Sequence, residues 1–353
     1  MKLAIKRDKA VINADGRVAG HSAGDTLLRR ILRLYPGATL IGAQVRKCDG
    51  FDVAPLEFLD PQETAVLNMD VIDSPRVWQK MYAAGAEHPK IMNFVWRSPS
   101  RFAAEAALAS IALSAALFPT FANSERTASE ILELAERWTV SRLYKKMRLG
   151  YVNLGFRLNH VQERHEPEVP VVLYPAIYLS AVKQPELFLD VCEWVHKRTP
   201  IKVEMRLHES HLVSEAAMKF SRKDWVWVGP LTATRESYWN ALSHTTAFLA
   251  TCREESYGIE YVEALGAGVV GVFPDLPWAR ALVPESYPFF YHDAEQAQKM
   301  LWRAVVDTEQ CRAELDECAG GSLQQWIGEH HSDDAFDEKL TEKVAEWLGV
   351  QAE

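Results

Sequence analysis

Glu255-Ser256-Tyr257-Gly258-Ile259-Glu260-Tyr261-Val262-Glu263-Ala264-Leu265-Gly266-Ala267-Gly268 is the stretch on which the reading of the fold turns. Two carboxylates, Glu255 and Glu263, stand eight positions apart, with Gly258 after the first and a helix-like run leading to the second. The apolar run 246–251 before it reads as a buried strand, and 269–275 after it as a second strand ending in a turn. Strand, Gly-containing loop, short helix and strand together form the unit that presents a helix start to an anionic ligand. Backbone N–H groups of Ser256, Tyr257, Gly258 and Ile259 would point at a phosphate or a sugar, helped by the positive end of the helix dipole. Glu263, about two turns along the same helix, would accept hydrogen bonds from ribose hydroxyls. The plain alternative is a solvated helix face.

The order of residues resembles the E-x7-E signature of retaining glycosyltransferases of GT-B fold (family 4-like), written E-G-F-G-h-x-h-h-E-A-h-A-x-G. Glu255, Gly258, Glu263, Ala264 and Gly268 match; Tyr257 stands in for the aromatic, and Ser256 replaces the first glycine. Phe121-Ala122-Asn123-Ser124-Glu125-Arg126-Thr127 is similar to the N-S-E-x-T segment of such enzymes, and Asn153-Leu154-Gly155-Phe156 occupies the place of their P-G-V-D turn. The segment from Leu173 to Glu186 resembles the one in which an Arg and, five residues later, a Lys neutralise the donor diphosphate. Lys183 fits the second role, but Tyr178 stands where the Arg is due, and Arg206 at a strand end is the candidate replacement. Trp96 or Arg97 stands where the family often has a His, so Arg97 becomes a candidate phosphate or acceptor ligand, against the alternative of a structural ion pair.

The resemblance implies an α/β fold of GT-B type, two Rossmann-like domains facing across a cleft. It implies a nucleotide-sugar co-substrate, UDP- or GDP-linked, with no other cofactor and no metal. Glu255 would hold sugar hydroxyls, and Lys183 the diphosphate. A non-catalytic sugar-nucleotide-binding protein on the same fold is the competing class.

A chain of 353 residues, 48% hydrophobic and 25% charged, has enough apolar mass for two soluble domains. No basic-apolar-small leader opens it. The alanine-rich tract 103–122 carries Glu105, Ser110, Ser114 and Pro119, and reads as a buried helix running into a strand rather than a membrane span. Cys48, Cys192, Cys252, Cys311 and Cys318 form no C-x2-C pair, which suits free thiols in a reducing cytoplasm. The formal charge of −9 is unevenly spread: residues 1–160 hold 22 Lys+Arg against 16 Asp+Glu, and the remainder 17 against 32. A cationic first half facing an anionic partner follows, either a membrane surface to which the protein is peripheral, a nucleic acid or a phosphorylated acceptor. The basic stretch 137–157 (Arg137, Arg142, Lys145, Lys146, Arg148, Arg157) would be its contact, or else a solvated helix face.

Strand and helix patterns alternate in both halves, which argues for mainly parallel sheets. The polar, proline-bearing segment 160–170 reads as the linker between domains 1–165 and 166–335, and a last helix, 336–353, is expected to pack back on the first. Gly20-His21-Ser22-Ala23-Gly24 spells G-x-S-x-G, the nucleophile elbow of serine hydrolases. It follows a turn rather than a deep strand, so Gly20, Ser22 and Gly24 read better as a small-residue loop approaching donor phosphates. His208 with His211, and the pair His330-His331, show no third metal ligand in sequence. No D-x-D, Walker A or strand-linked G-x-G-x-x-G segment occurs.

Overall fold

The computed structural model describes residues 1–352 except His21 and Ala233. It divides into two compact units, one of Met1–Asn153 with Asp334–Glu353, the other Leu154–Asp333. Each is a parallel α/β layer structure, and the fold class read from the sequence holds in both.

The first unit carries an eight-stranded sheet among the described residues: β1 (Lys2–Lys6), β2 (Thr39–Ile41), β3 (Arg46–Lys47), β4 (Asp52–Ala54), β5 (Thr64–Asn68), β6 (Lys90–Val95), β7 (Thr120–Ala122) and β8 (Leu149–Tyr151). Their order across the sheet is β3-β4-β2-β1-β5-β6-β7-β8, parallel except for the short β3–β4 edge. Thr64–Asn68 and Thr120–Ala122 are buried along their whole length, as strands covered on both faces must be. The polar atoms they carry inward are paired. Asn68 Nδ2 donates to Ser74 Oγ at 2.7 Å, Ser74 Oγ to Asn93 Oδ1 at 2.6 Å, and Asn93 Nδ2 to Thr120 Oγ1 at 3.0 Å. Helix Ala23–Leu34 buries Leu27, Leu28, Ile31 and Leu32 at helical spacing. Ser124 caps helix Glu125–Trp138 by accepting from Thr127 N.

The second unit holds β9 (Val171–Tyr174), β10 (Lys202–Leu207), β11 (Val226–Pro230), β12 (Ala247–Leu249), β13 (Val270–Pro274) and β14 (Phe290–Tyr291), ordered β11-β10-β9-β12-β13-β14 and all parallel. From β9 the chain builds outward through β10 and β11, then returns to the other side of β9 with β12. The strand order therefore reverses between β9 and β12, which opens a crevice between the loops at their carboxyl ends.

Three local expectations are corrected. Segment 160–170 is not a free linker: the division falls between Asn153 and Leu154, and Arg164 donates to the carbonyls of Ala267 (2.9 Å) and Thr245 (2.7 Å). The basic stretch is not one helix face but a helix end, the single turn Ser141–Tyr144 and strand β8. Helix Glu105–Leu117 is only half-buried, with Leu113 and Leu117 exposed, because just one of its faces meets the sheet layer. Among the described residues no helix is long and apolar enough to cross a membrane.

Helix Asp333–Leu348 contributes Phe336 to the first unit's core, where its ring lies 6.1 Å from that of Phe94 and 6.4 Å from that of Phe121. The Arg30 guanidinium covers the same ring at 4.3 Å and donates to Asp337 at 2.6 Å. Phe336 is fully buried, so Phe336→Ala is expected to destabilise the first unit by about 3–5 kcal/mol, read from its denaturant midpoint.

Candidate functional site

The loop after β9 carries Lys183, and the loop after β12 carries Glu255. Lys183 Nζ donates to the Glu255 carboxylate and to Glu260 Oε1 at 3.3 Å, 5.9 Å from the centre of the Tyr261 ring. The two loops are also joined through backbone: Thr251 Oγ1 donates to Lys183 O at 2.7 Å, and Arg253 N to Val182 O at 2.9 Å. Burial works against the Lys183 charge, but Tyr261, Glu260 and Glu255 outweigh it and hold the ammonium well above its usual range. Burial, with Glu255 nearby, pushes the Glu260 carboxyl up, against the pull of Lys183. The Cys252 thiol is pushed up to about 12 by burial, so it is no nucleophile.

Helix Ile259–Gly266 begins at Gly258, whose backbone is left-handed at φ 96°, and a Cβ there would fall 2.6 Å from the Tyr261 ring. It ends in a Schellman turn: Val269 N bonds Ala264 O, and Gly268 N bonds Leu265 O, with Gly268 at φ 76°. These two constraints explain two of the matched glycines. Ser256 N is satisfied by Glu255 Oε1 at 3.1 Å. The N–H groups of Tyr257, Gly258 and Ile259 find no protein acceptor among the described residues, and they are the donors this helix start offers a ligand.

Several expected ligands have other partners. Glu263 is nearly buried, and its carboxylate is held by Arg235 at 2.5 Å. The Tyr257 ring is turned into the core, where its hydroxyl meets Leu154 O and His331 Nδ1, so only its backbone faces outward. Arg206 pairs with Glu204 and lies 5.1 Å from the Trp227 ring on the face of β10 and β11. Three further residues meet beyond β9 and β10. The Tyr178 ring lies 5.4 Å from His208 and 5.3 Å from His211, and Leu179 N donates to His211 Nδ1 at 3.2 Å. Among the described residues no group of three His, Cys, Asp or Glu side chains is placed to hold a metal.

Gly20, Ser22, Gly24 and Arg97 belong to the first unit. The space that Gly24 leaves is filled by Arg7, whose guanidinium lies 2.6 Å from where a Cβ would sit. Arg7 binds Asp25 at 2.8 Å and Ser22 Oγ at 3.2 Å, and Ser22 donates to Asp25 at 2.5 Å. Against burial, Ser22 and Arg7 hold Asp25 below the usual carboxylate range. A carboxylate so neutralised is no base, and Ser22 is a helix cap rather than a hydrolase nucleophile. His21 lies outside the described residues. Arg97 lies 4.8 Å from the Phe102 ring, and desolvation by its surroundings, with Arg101 nearby, depresses its pKa.

No protein-family model matches this chain, and no protein of curated function matches its sequence. Solved structures do share its architecture. HepE from Anabaena in complex with UDP matches with a TM-score of 0.70 at 12% identity, over 98% of this chain and 100% of that one. Sucrose-phosphate synthase from Thermosynechococcus elongatus gives 0.68 at 10% identity, over 99% of each chain. A UDP-forming α,α-trehalose-phosphate synthase from Burkholderia xenovorans gives 0.66 at 10%, over 99% and 100%. The fold is GT-B. At these identities the likeness is one of fold, and within the GT-B chain the carboxyl edge of β9 and β12 is the candidate site.

Gly258→Ala is expected to destabilise by about 1–3 kcal/mol through backbone strain alone, with the Tyr261 contact adding to it, read as a lowered unfolding midpoint. Behind the site, buried His331 is held neutral: burial pushes its pKa down to about 4, against the Leu282 and Leu154 carbonyls. The unfolded chain binds this proton more tightly, so the stability is complete above the ordinary value of 6.5 and is lost as pH falls towards 4. A loss of roughly 3 kcal/mol across that window, largely absent in His331→Gln, is expected in denaturant titrations at stepped pH.

Proposed function

We propose that this chain is a glycosyltransferase. It moves a sugar from a nucleoside-diphosphate sugar, UDP- or GDP-linked, to an acceptor hydroxyl, with retention at the anomeric carbon and without a metal. The observation that carries the reading is Lys183, held by Glu255 and Glu260 beside three open backbone N–H groups where the strand order reverses. A cation and open donors at that place suit the diphosphate end of a donor, since parallel sheets bind ligands where the strand order reverses. Two proteins that share this fold support a UDP-linked donor: HepE, solved in complex with UDP, and the UDP-forming trehalose-phosphate synthase.

In the reaction the bond from the sugar C1 to the diphosphate oxygen breaks with both electrons on that oxygen. The acceptor oxygen forms the new bond on the same face, and its proton passes to the departing phosphate. The ammonium of Lys183 and the N–H groups of Tyr257, Gly258 and Ile259 stabilise the charge that develops on the leaving group. Glu255 takes the sugar hydroxyls, and Arg97 in the first unit takes an anionic acceptor. The excess of cations in the first 160 residues supports an acceptor that is charged or carried on a charged surface: a lipid in an anionic membrane, a nucleic acid or a phosphorylated metabolite. The site of action is the cytoplasm or the membrane face bordering it.

The test is a panel of UDP- and GDP-sugars, with turnover of the best binder on lipid extract, DNA and sugar phosphates, and the product anomer read by NMR. Lys183→Ala is expected to lower turnover by about 10²–10³. Unchanged turnover in that variant would contradict the reading. Donor binding without turnover on any pool would instead fit a nucleotide-sugar-binding protein, which Tyr178 in place of an arginine favours.

A further inference from the structure

Lys183 is already engaged by two carboxylates, Glu255 and Glu260. A diphosphate brought to an ammonium so engaged is held better with a second cation beside it. Neither cation expected from sequence position supplies it, because residue 178 is a tyrosine and Arg206 is bound to Glu204.

We infer that Arg253 is the second cation, a specificity-determining residue that binds the diphosphate of the nucleotide together with Lys183. Arg253 is exposed, and it lies on the loop after β12, two positions before Glu255. Its backbone N–H is fixed to Val182 O, directly before Lys183. With the Gln184 amide oriented to satisfy its surroundings, the amide oxygen accepts from Arg253 Nε and Nη2 at 3.2 Å each, and the amide nitrogen donates to Thr251 O at 2.8 Å. Among the described residues no carboxylate pairs with Arg253; its side-chain partner is this neutral amide. The guanidinium is thus aimed without being neutralised, which is how a protein keeps a cation ready for an anion.

A second observation concerns Gln184 itself. Its φ is 47°, and it is the one non-glycine residue with positive φ among those described. A left-handed glutamine costs free energy, and such strain persists where the surroundings require it. Here it sets Lys183 on one side of the residue and the amide that orients Arg253 on the other. The departing diphosphate, carrying the electron pair of the broken C1–O bond, would lie between an ammonium and a guanidinium. The guanidinium's fork matches two phosphate oxygens.

The inference rests on the glycosyltransferase reading, and the experiment separates the two. Calorimetric titrations compare wild type with Arg253→Gln and Arg206→Gln, using the diphosphate (UDP or GDP) that wild type binds better, its monophosphate and its nucleoside. Arg253→Gln is expected to weaken the diphosphate by about tenfold to a hundredfold while leaving the nucleoside unchanged, and Arg253→Lys to restore part of the loss. Wild type binding neither diphosphate would defeat the glycosyltransferase reading itself. Wild-type binding with equal affinity in Arg253→Gln would overturn the role of Arg253 alone. So would equal losses for all three ligands, which would mark a structural effect, or a loss confined to Arg206→Gln.

Discussion

Everything proposed for this chain depends on one topological constraint, the reversal of strand order between β9 and β12. In a parallel sheet, adjacent strands on opposite sides of such a reversal send their following loops apart, and the gap between them opens at the carboxyl edge. Here the gap is crossed by a few specific bonds. Thr251 to Lys183, Arg253 to Val182 and Lys183 to Glu255 join two loops that are far apart in sequence. The geometry of the site is therefore set by the sheet, and the side chains only select its ligand.

Electrostatics then decides what the site can hold. A half-buried ammonium held by two carboxylates stays charged at any ordinary pH. Such a group resists deprotonation and suits a role in binding charge rather than in proton transfer. The nearby thiol and phenols are all pushed away from ionisation by burial, so the site holds no evident nucleophile of its own. What it offers is a fixed ammonium and unfilled N–H donors, an arrangement suited to a leaving group that departs as an anion.

Much of this was legible before the structure. The apolar runs of the second half, the glycine at the helix start and the glycine past its end each obey a local rule, and the folded chain obeys them for the reasons the rules give. Gly258 and Gly268 take the left-handed backbone that their positions require. The side-chain partnerships were not legible. Glu263 is matched by Arg235 across 28 residues, and nothing in the spacing announces it. Arg206 reads as a strand-end cation, but alternation places it on the same face as Glu204, which neutralises it. Segment 160–170 has the composition of a linker, yet Arg164 and Glu166 tie it to the second unit. Composition reports what a segment can do in isolation, whereas a guanidinium that reaches backbone carbonyls from another part of the chain leaves no periodic trace.

The most direct test of the central claim is amide hydrogen exchange with and without a saturating nucleoside diphosphate. Slower exchange should concentrate in peptides covering 179–184 and 253–260, including the amides of Tyr257, Gly258 and Ile259. Protection confined to the Gly20–Asp25 loop, or none in either segment while the nucleotide is bound, would contradict it.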